Sequence, residues 1–130
     1  MNKMGVMIRK WDYFNKKSTN PSRKNLHKQI LTLHRKILKE DKICTEYSIE
    51  KDESIKRYHI HLLIHYNDEQ NLNNELSRYI GGTEWVKRES GLDTFNECNG
   101  KYGLVHTEPI YNEQQYRRYI NKNQPLKTLI

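Results

Sequence analysis

Residues 58–66 read YHIHLLIHY, and the alternation in this stretch constrains the fold more than any other feature of the chain. On a strand, successive side chains point to opposite faces, so Tyr58, Ile60, Leu62, Ile64 and Tyr66 share one face and His59, His61, Leu63 and His65 the other. The first face is aliphatic enough to need a core. The second carries His59 and His61 two residues apart, roughly 6.5 to 7 Å between Cα atoms, a separation from which two imidazoles can converge on one ion. Alternating polar residues are equally what a solvated strand face carries, and the stretch alone leaves both readings open.

The neighbouring segments supply the rest of a sheet and its cover. KICTEYSIE (42–50) alternates and is rich in β-branched residues, and the polar connection KDESIKR joins it to the histidine strand as an antiparallel hairpin. MGVMIRKWDYF (4–14) predicts a first strand, followed by a polar loop, NKKSTNPSR. Leu26, Ile30, Leu33, Ile37 and Leu38 recur at helical spacing over 23–40, and Leu72, Leu76, Tyr79 and Ile80 do so over 71–80, before a Gly81-Gly82 stop. The stretch 83–100 is turn-rich and hard to assign, with Trp85 and Phe95 as its large apolar anchors. KYGLVHTEPI (101–110) predicts a strand and NEQQYRRYINK (112–122) a helix capped by Asn112 and closed before Pro125, leaving about 123–130 as a C-terminal tail. The order β-α-β-β-α-(β)-β-α predicts one α+β domain over residues 1–130, a sheet with helices on one side.

Charge narrows the partners. Lys and Arg number 23 against 16 Asp and Glu, a formal net charge of +7 with a pI near 9.4, the footprint of a protein that meets phosphate. No apolar run of about 18 residues is present, and MNKMGVMIRKWDYF lacks the pattern of a signal peptide. The expectation is a cytoplasmic protein, in a host cell's cytoplasm if it is viral, with no membrane partner. Cys44 and Cys98 have no CxxC neighbour, which argues against a structural zinc site and a disulfide framework.

Two features carry chemistry. On the strand before the histidines, Glu46, Ser48 and Glu50 share a face, and one of those carboxylates can complete a His-His-Glu set with open positions left for substrate. In YRRYINK, Tyr119 and Lys122 lie one helical turn apart, as do Tyr116 and Tyr119. A phenol can attack a phosphodiester once its proton is taken, and a nearby lysine can offset the charge on the phosphate or orient the phenol. An amphipathic helix with tyrosines at its edge would look the same.

Taken in order, these pieces resemble the HUH endonucleases that initiate rolling-circle replication: acidic residues on a strand, a hairpin into His59-Ile60-His61, a further strand, then a helix bearing Tyr119-Ile120-Asn121-Lys122. The resemblance spans roughly residues 42–122. Histidines before tyrosine is the order of the replication-initiator branch, whereas conjugative relaxases place the tyrosine first. The resemblance implies a ferredoxin-like, RRM-like antiparallel sheet with helices packed on one face, an exposed face that carries the metal, and a C-terminal helix that presents the nucleophile. It implies His59 and His61 as ligands of Mg²⁺ or Mn²⁺, Glu50 as the third ligand with Glu46 as the alternative, Tyr119 as the nucleophile and Lys122 as its assistant.

The activity so implied is site-specific nicking and joining of single-stranded DNA or an origin hairpin through a 5′-phosphotyrosine. A host helicase and polymerase are expected partners, because the chain has no Walker-type glycine loop. Lys87, Arg88, Arg117 and Arg118 are candidate phosphate contacts, and Trp85 and Tyr116 candidate base contacts. Tyr116 is three residues from Tyr119, not the four of the usual two-tyrosine members. The alternatives are a single-tyrosine HUH transposase, which normally carries Gln where this chain has Lys122, and a non-catalytic RRM-like nucleic-acid-binding module.

Overall fold

In the computed structural model, which describes residues 2–10, 12–14, 17–19, 22–41, 45–52, 57–91, 93–110, 112–121 and 127–129, the elements run in chain order. They are β1 (Asn2–Lys10), β2 (Asp12–Phe14), β3 (Lys17–Thr19), α1 (Arg23–Asp41), β4 (Thr45–Asp52), β5 (Arg57–Tyr66), α2 (Glu69–Ile80), β6 (Trp85–Ser90), β7 (Asp93–Gly100), β8 (Gly103–Pro109), α3 (Glu113–Asn121) and β9 (Lys127–Leu129). The histidine strand is β5, and it sits inside a seven-stranded antiparallel sheet of order β6-β7-β8-β1-β5-β4-β9. The four strands β8-β1-β5-β4, with α1 joining β1 to β4 and α2 leading from β5 toward β8, make the β-α-β-β-α-β arrangement of ferredoxin-like sheets.

The alternation sorts the two faces as expected. Val6, Ile8, Ile49, Ile60, Leu62, Ile64 and Val105 point to one side of the sheet, each at most 3% exposed, and meet Leu26, Ile30 and Leu33 of α1 and Leu72, Leu76 and Ile80 of α2. Burying each such side chain contributes about 1.5–3 kcal/mol, so these two helices are held by their apolar stripes more than by local propensity. Local signals set the ends of α2. Asp68 accepts a hydrogen bond from the Asn71 amide at 3.1 Å, and Gly81 takes the left-handed conformation (φ 69°) that lets the helix terminate. Ser22 caps α1 and Asn112 caps α3 in the same way, at 3.2 and 3.1 Å.

Several expectations on element boundaries are revised. The stretch 4–14 divides into β1 and β2, and β2 pairs with β3 in a separate two-stranded ribbon, so the loop expected after residue 14 contributes a strand. The turn-rich region 83–100 is a β6-β7 hairpin turning at Gly91, whose φ is 63°. It escaped assignment because β6 is an exposed edge strand and β7 carries only two apolar residues, Phe95 and Cys98, on opposite faces, so neither strand shows apolar alternation. Within the expected tail, β9 pairs with β4. Helix α3 does not join α1 and α2: it lies on the opposite face, across β4 and β5. Cys98 is a buried free thiol whose pKa burial pushes up, and Cys44 lies outside the described residues. Among the described residues no helix is long and apolar enough to cross a membrane.

Candidate metal centre

The strand pairing fixes which polar side chains meet on the second face. Glu50 of β4 lies directly opposite His59 of β5, Ser48 opposite His61, and Glu46 opposite Leu63. Paired residues in an antiparallel ladder have Cβ atoms about 4.5–5.5 Å apart, so Glu50 can reach both rings. Its Oε2 lies 3.4 Å from His59 Nε2 and 3.3 Å from His61 Nε2. The two rings stand edge to face, 4.8 Å between centroids.

One ligand atom from each of Glu50, His59 and His61 lies within 4.8 Å of the others, so this group could hold a metal ion. Cis donors about 2.1 Å from a common octahedral centre are separated by roughly 3 Å, close to the spacing of Glu50 from each ring. Two imidazole nitrogens and one carboxylate oxygen on one side of an ion leave the remaining positions open to substrate. The rings are not on a solvated strand face: His59 is 9% and His61 6% exposed. Burying polar rings this far is unfavourable unless a partner compensates.

Glu46, the alternative third ligand, is engaged elsewhere. Its Oε1 accepts from the Arg117 guanidinium at 2.7 Å, and Arg117 also bridges Glu113 at 2.8 Å. Glu113 in turn binds Lys3 and lies 3.6 Å from His65 Nε2. The Lys3 ammonium holds the Glu113 carboxyl below the ordinary carboxylate range against the opposing effect of partial burial, and Arg117 and His65 add to it. His65, on the same strand face as His59 and His61, thus helps to anchor the start of α3.

Tyr116, one turn into α3, donates its hydroxyl to the Leu62 carbonyl at 3.0 Å. Its ring lies over Gly5, where a Cβ would stand 2.7 Å from the ring carbon Cε2. A glycine in a strand interior often marks such a close approach. Tyr116, His59 and His61 line one trough together with Gly5, Met7, Arg9, His106 and Glu108. The backbone of Tyr119 belongs to α3, but its side chain, like the whole of Lys122, lies outside the described residues.

The candidate DNA contacts are dispersed. Arg117 is held in the ion pairs above, and Arg118 is exposed on α3. Arg88 of β6 pairs with Glu97 at 3.3 Å, Lys87 is exposed beside it, and Trp85 packs against the core from its half-buried position. Sequence reasoning passed over Gly5, Arg9, His106 and Glu108. The alternation of LVHTEP puts His106 and Glu108 on one face, and they become meaningful once β8 is known to pair with β1.

Comparison of the chain with protein-family models, with curated proteins and with solved structures finds no match in any of the three.

Proposed function

We propose that this protein is a metal-dependent enzyme that nicks and rejoins single-stranded DNA, of the HUH replication-initiator kind that its motifs resemble. One observation carries the reading: the Glu50, His59 and His61 donors converge on the same sheet face against which the tyrosine-bearing helix α3 packs. The net charge of +7 suits a polyanionic substrate.

Bound Mg²⁺ or Mn²⁺ would supply Lewis acidity at a non-bridging oxygen of the scissile phosphate. Glu50, His59 and His61 would hold that ion, and their partial burial would limit competition from water. Tyr119 lies one helical turn from Tyr116 and attacks the phosphorus in line. The new O–P bond links Tyr119, which gives up its phenolic proton, to the 5′ phosphate, while the bond to the 3′ oxygen breaks and that oxygen takes up a proton to leave as a 3′-OH. Lys122, one turn farther, offsets charge on the phosphate. Because the covalent link retains the phosphoester, the reverse attack by a 3′-OH rejoins the strand. A polymerase can extend the free 3′-OH.

Incubation with oligonucleotides labelled at either end, with Mn²⁺ and with EDTA, tests this reading. It predicts a Mn²⁺-dependent protein adduct that retains only the 3′ fragment. Binding indifferent to EDTA, with no adduct, would favour a non-catalytic nucleic-acid-binding module instead.

A further inference from the structure

The trough beside the metal centre contains chemistry that metal binding leaves unused. Strand β1 forms its floor, His59 and His61 of β5 one wall, and His106 and Glu108 of β8 the other, with Tyr116 closing one end. Its volume is about 310 Å³, at the lower end of the roughly 300–1,000 Å³ typical of small-molecule sites. That is room for one nucleotide and not for a duplex.

The lining changes character along the strand. At one end Arg9 lies opposite His59, next to the Glu50-His59-His61 group. In the middle Met7 lies between His61 and His106. At the other end Gly5 lies opposite Glu108, under the Tyr116 ring. Four residues of strand separate the Cα atoms of the two ends, about 13 Å, and the Arg9 and Glu108 side chains reach into that span.

Glu108 and His106 are available to a ligand. Glu108 is half-buried and makes no hydrogen bond or ion pair among the described residues. His106 stacks in parallel on Phe95, 4.2 Å between centroids at 12°, and its ring nitrogens have no hydrogen-bond partner among the described residues. A carboxylate oxygen accepts hydrogen bonds, so a base meets Glu108 best through an N–H donor. At pyrimidine C4 and purine C6 the bases divide: cytosine and adenine carry an amino donor there, N4 and N6, whereas thymine, uracil and guanine carry a carbonyl oxygen.

We infer that this trough is a single-nucleotide subsite beside the scissile phosphate that selects a base with an amino group at pyrimidine C4 or purine C6, cytosine or adenine, with Glu108 as the selecting residue. The inference rests on the nicking reading above. The phosphate lies at the Arg9 and metal end, the base at the Glu108 end, and the Phe95-backed imidazole of His106 offers a flat wall to the base. At the same position deoxyuridine turns its O4 toward the carboxylate, and two acceptors face each other.

Fluorescence anisotropy with labelled homopolymers of deoxycytidine and deoxyuridine, in EDTA so that no strand is cut, tests the subsite. The two bases have the same ring size and differ chiefly at the edge that Glu108 would meet. The inference predicts about tenfold tighter binding of the dC strand by the unaltered protein, a ratio that falls toward one in Glu108→Gln, whose amide can serve either base. Equal binding of the two strands by the unaltered protein, or a ratio that survives in Glu108→Gln, overturns it. The nicking reading stands or falls separately, on the Mn²⁺-dependent adduct. A dC preference without an adduct supports the subsite while removing the enzyme; an adduct with no dC preference does the reverse.

Discussion

The ring of Tyr116 occupies the space that a side chain at position 5 would need: a Cβ on Gly5 would stand 2.7 Å from Tyr116 Cε2 and 2.9 Å from its hydroxyl oxygen. Those separations are well inside van der Waals contact, and the obstructing atoms belong to a rigid ring whose hydroxyl is tied to Leu62. Gly5→Ala should therefore lift the helix that carries Tyr119 off the sheet, while Glu50, His59 and His61, on strands β4 and β5, stay together. Overpacking of this kind costs about 1–3 kcal/mol. Mn²⁺ affinity is expected to stay within about twofold of the unaltered protein and adduct formation to fall by tenfold or more, about 1.4 kcal/mol or more in barrier. A parallel Mn²⁺ titration and single-turnover cleavage assay would separate the two.

The two glutamates on β4 make opposite predictions. Glu50→Gln removes a donor 3.3–3.4 Å from both imidazoles and should weaken Mn²⁺ binding by more than the roughly 10- to 100-fold typical of losing an outer partner. Glu46→Gln disturbs only the ion pair with Arg117 and should leave Mn²⁺ affinity nearly unchanged. Isothermal titration of the two variants decides between them, and the reverse ranking would move the metal toward Glu46.

A third prediction concerns pH. His34 on α1 is 6% exposed, and neither of its ring nitrogens has a hydrogen-bond partner among the described residues. Burial lowers its pKa from the ordinary 6.5. The unfolded chain therefore takes up a proton near pH 6.5 that the folded chain refuses, so stability is complete above that pH and declines as pH falls below it. The slope from this one group is at most about 1.4 kcal/mol per pH unit. His34→Leu should flatten the decline below pH 6.5 and add about 1–3 kcal/mol, because two unsatisfied buried nitrogens disappear. Thermal melts at pH 7.5 and 5.5, in EDTA so that metal release contributes nothing, check both effects; equal slopes in the two proteins would reject the assignment.

The central sheet was legible because β1, β4 and β5 each bury one aliphatic face, which writes a period of two into the sequence. The same alternation put His59, His61, Glu46 and Glu50 on one side. What it could not do was choose between the glutamates, because that depends on register: Glu50 meets His59 only because the hairpin pairs them, and Arg117, 71 residues from Glu46 along the chain, takes the other carboxylate. The β6-β7 hairpin was illegible for a different reason. Strand β6 is an exposed edge, and the two apolar residues of β7, Phe95 and Cys98, fall on opposite faces, so no apolar period marks it. His106 and Glu108 stood in plain view in LVHTEP, yet they join the site only through the pairing of β8 with β1, a contact between residues about a hundred positions apart.

A covalent link between Tyr119 and DNA is what the nicking reading requires, and mass spectrometry of the trapped adduct reads that link out. Arg117 and Arg118 lie between the two tyrosines of α3, so trypsin delivers Tyr116 and Tyr119 on different peptides. The protein is incubated with single-stranded DNA and Mn²⁺, then digested with nuclease and trypsin. The account predicts a phosphonucleotide on the peptide that begins at Tyr119, absent in EDTA and in Glu50→Gln. An adduct confined to the peptide ending at Arg117, or none on either peptide across a randomised pool of single strands, would contradict it.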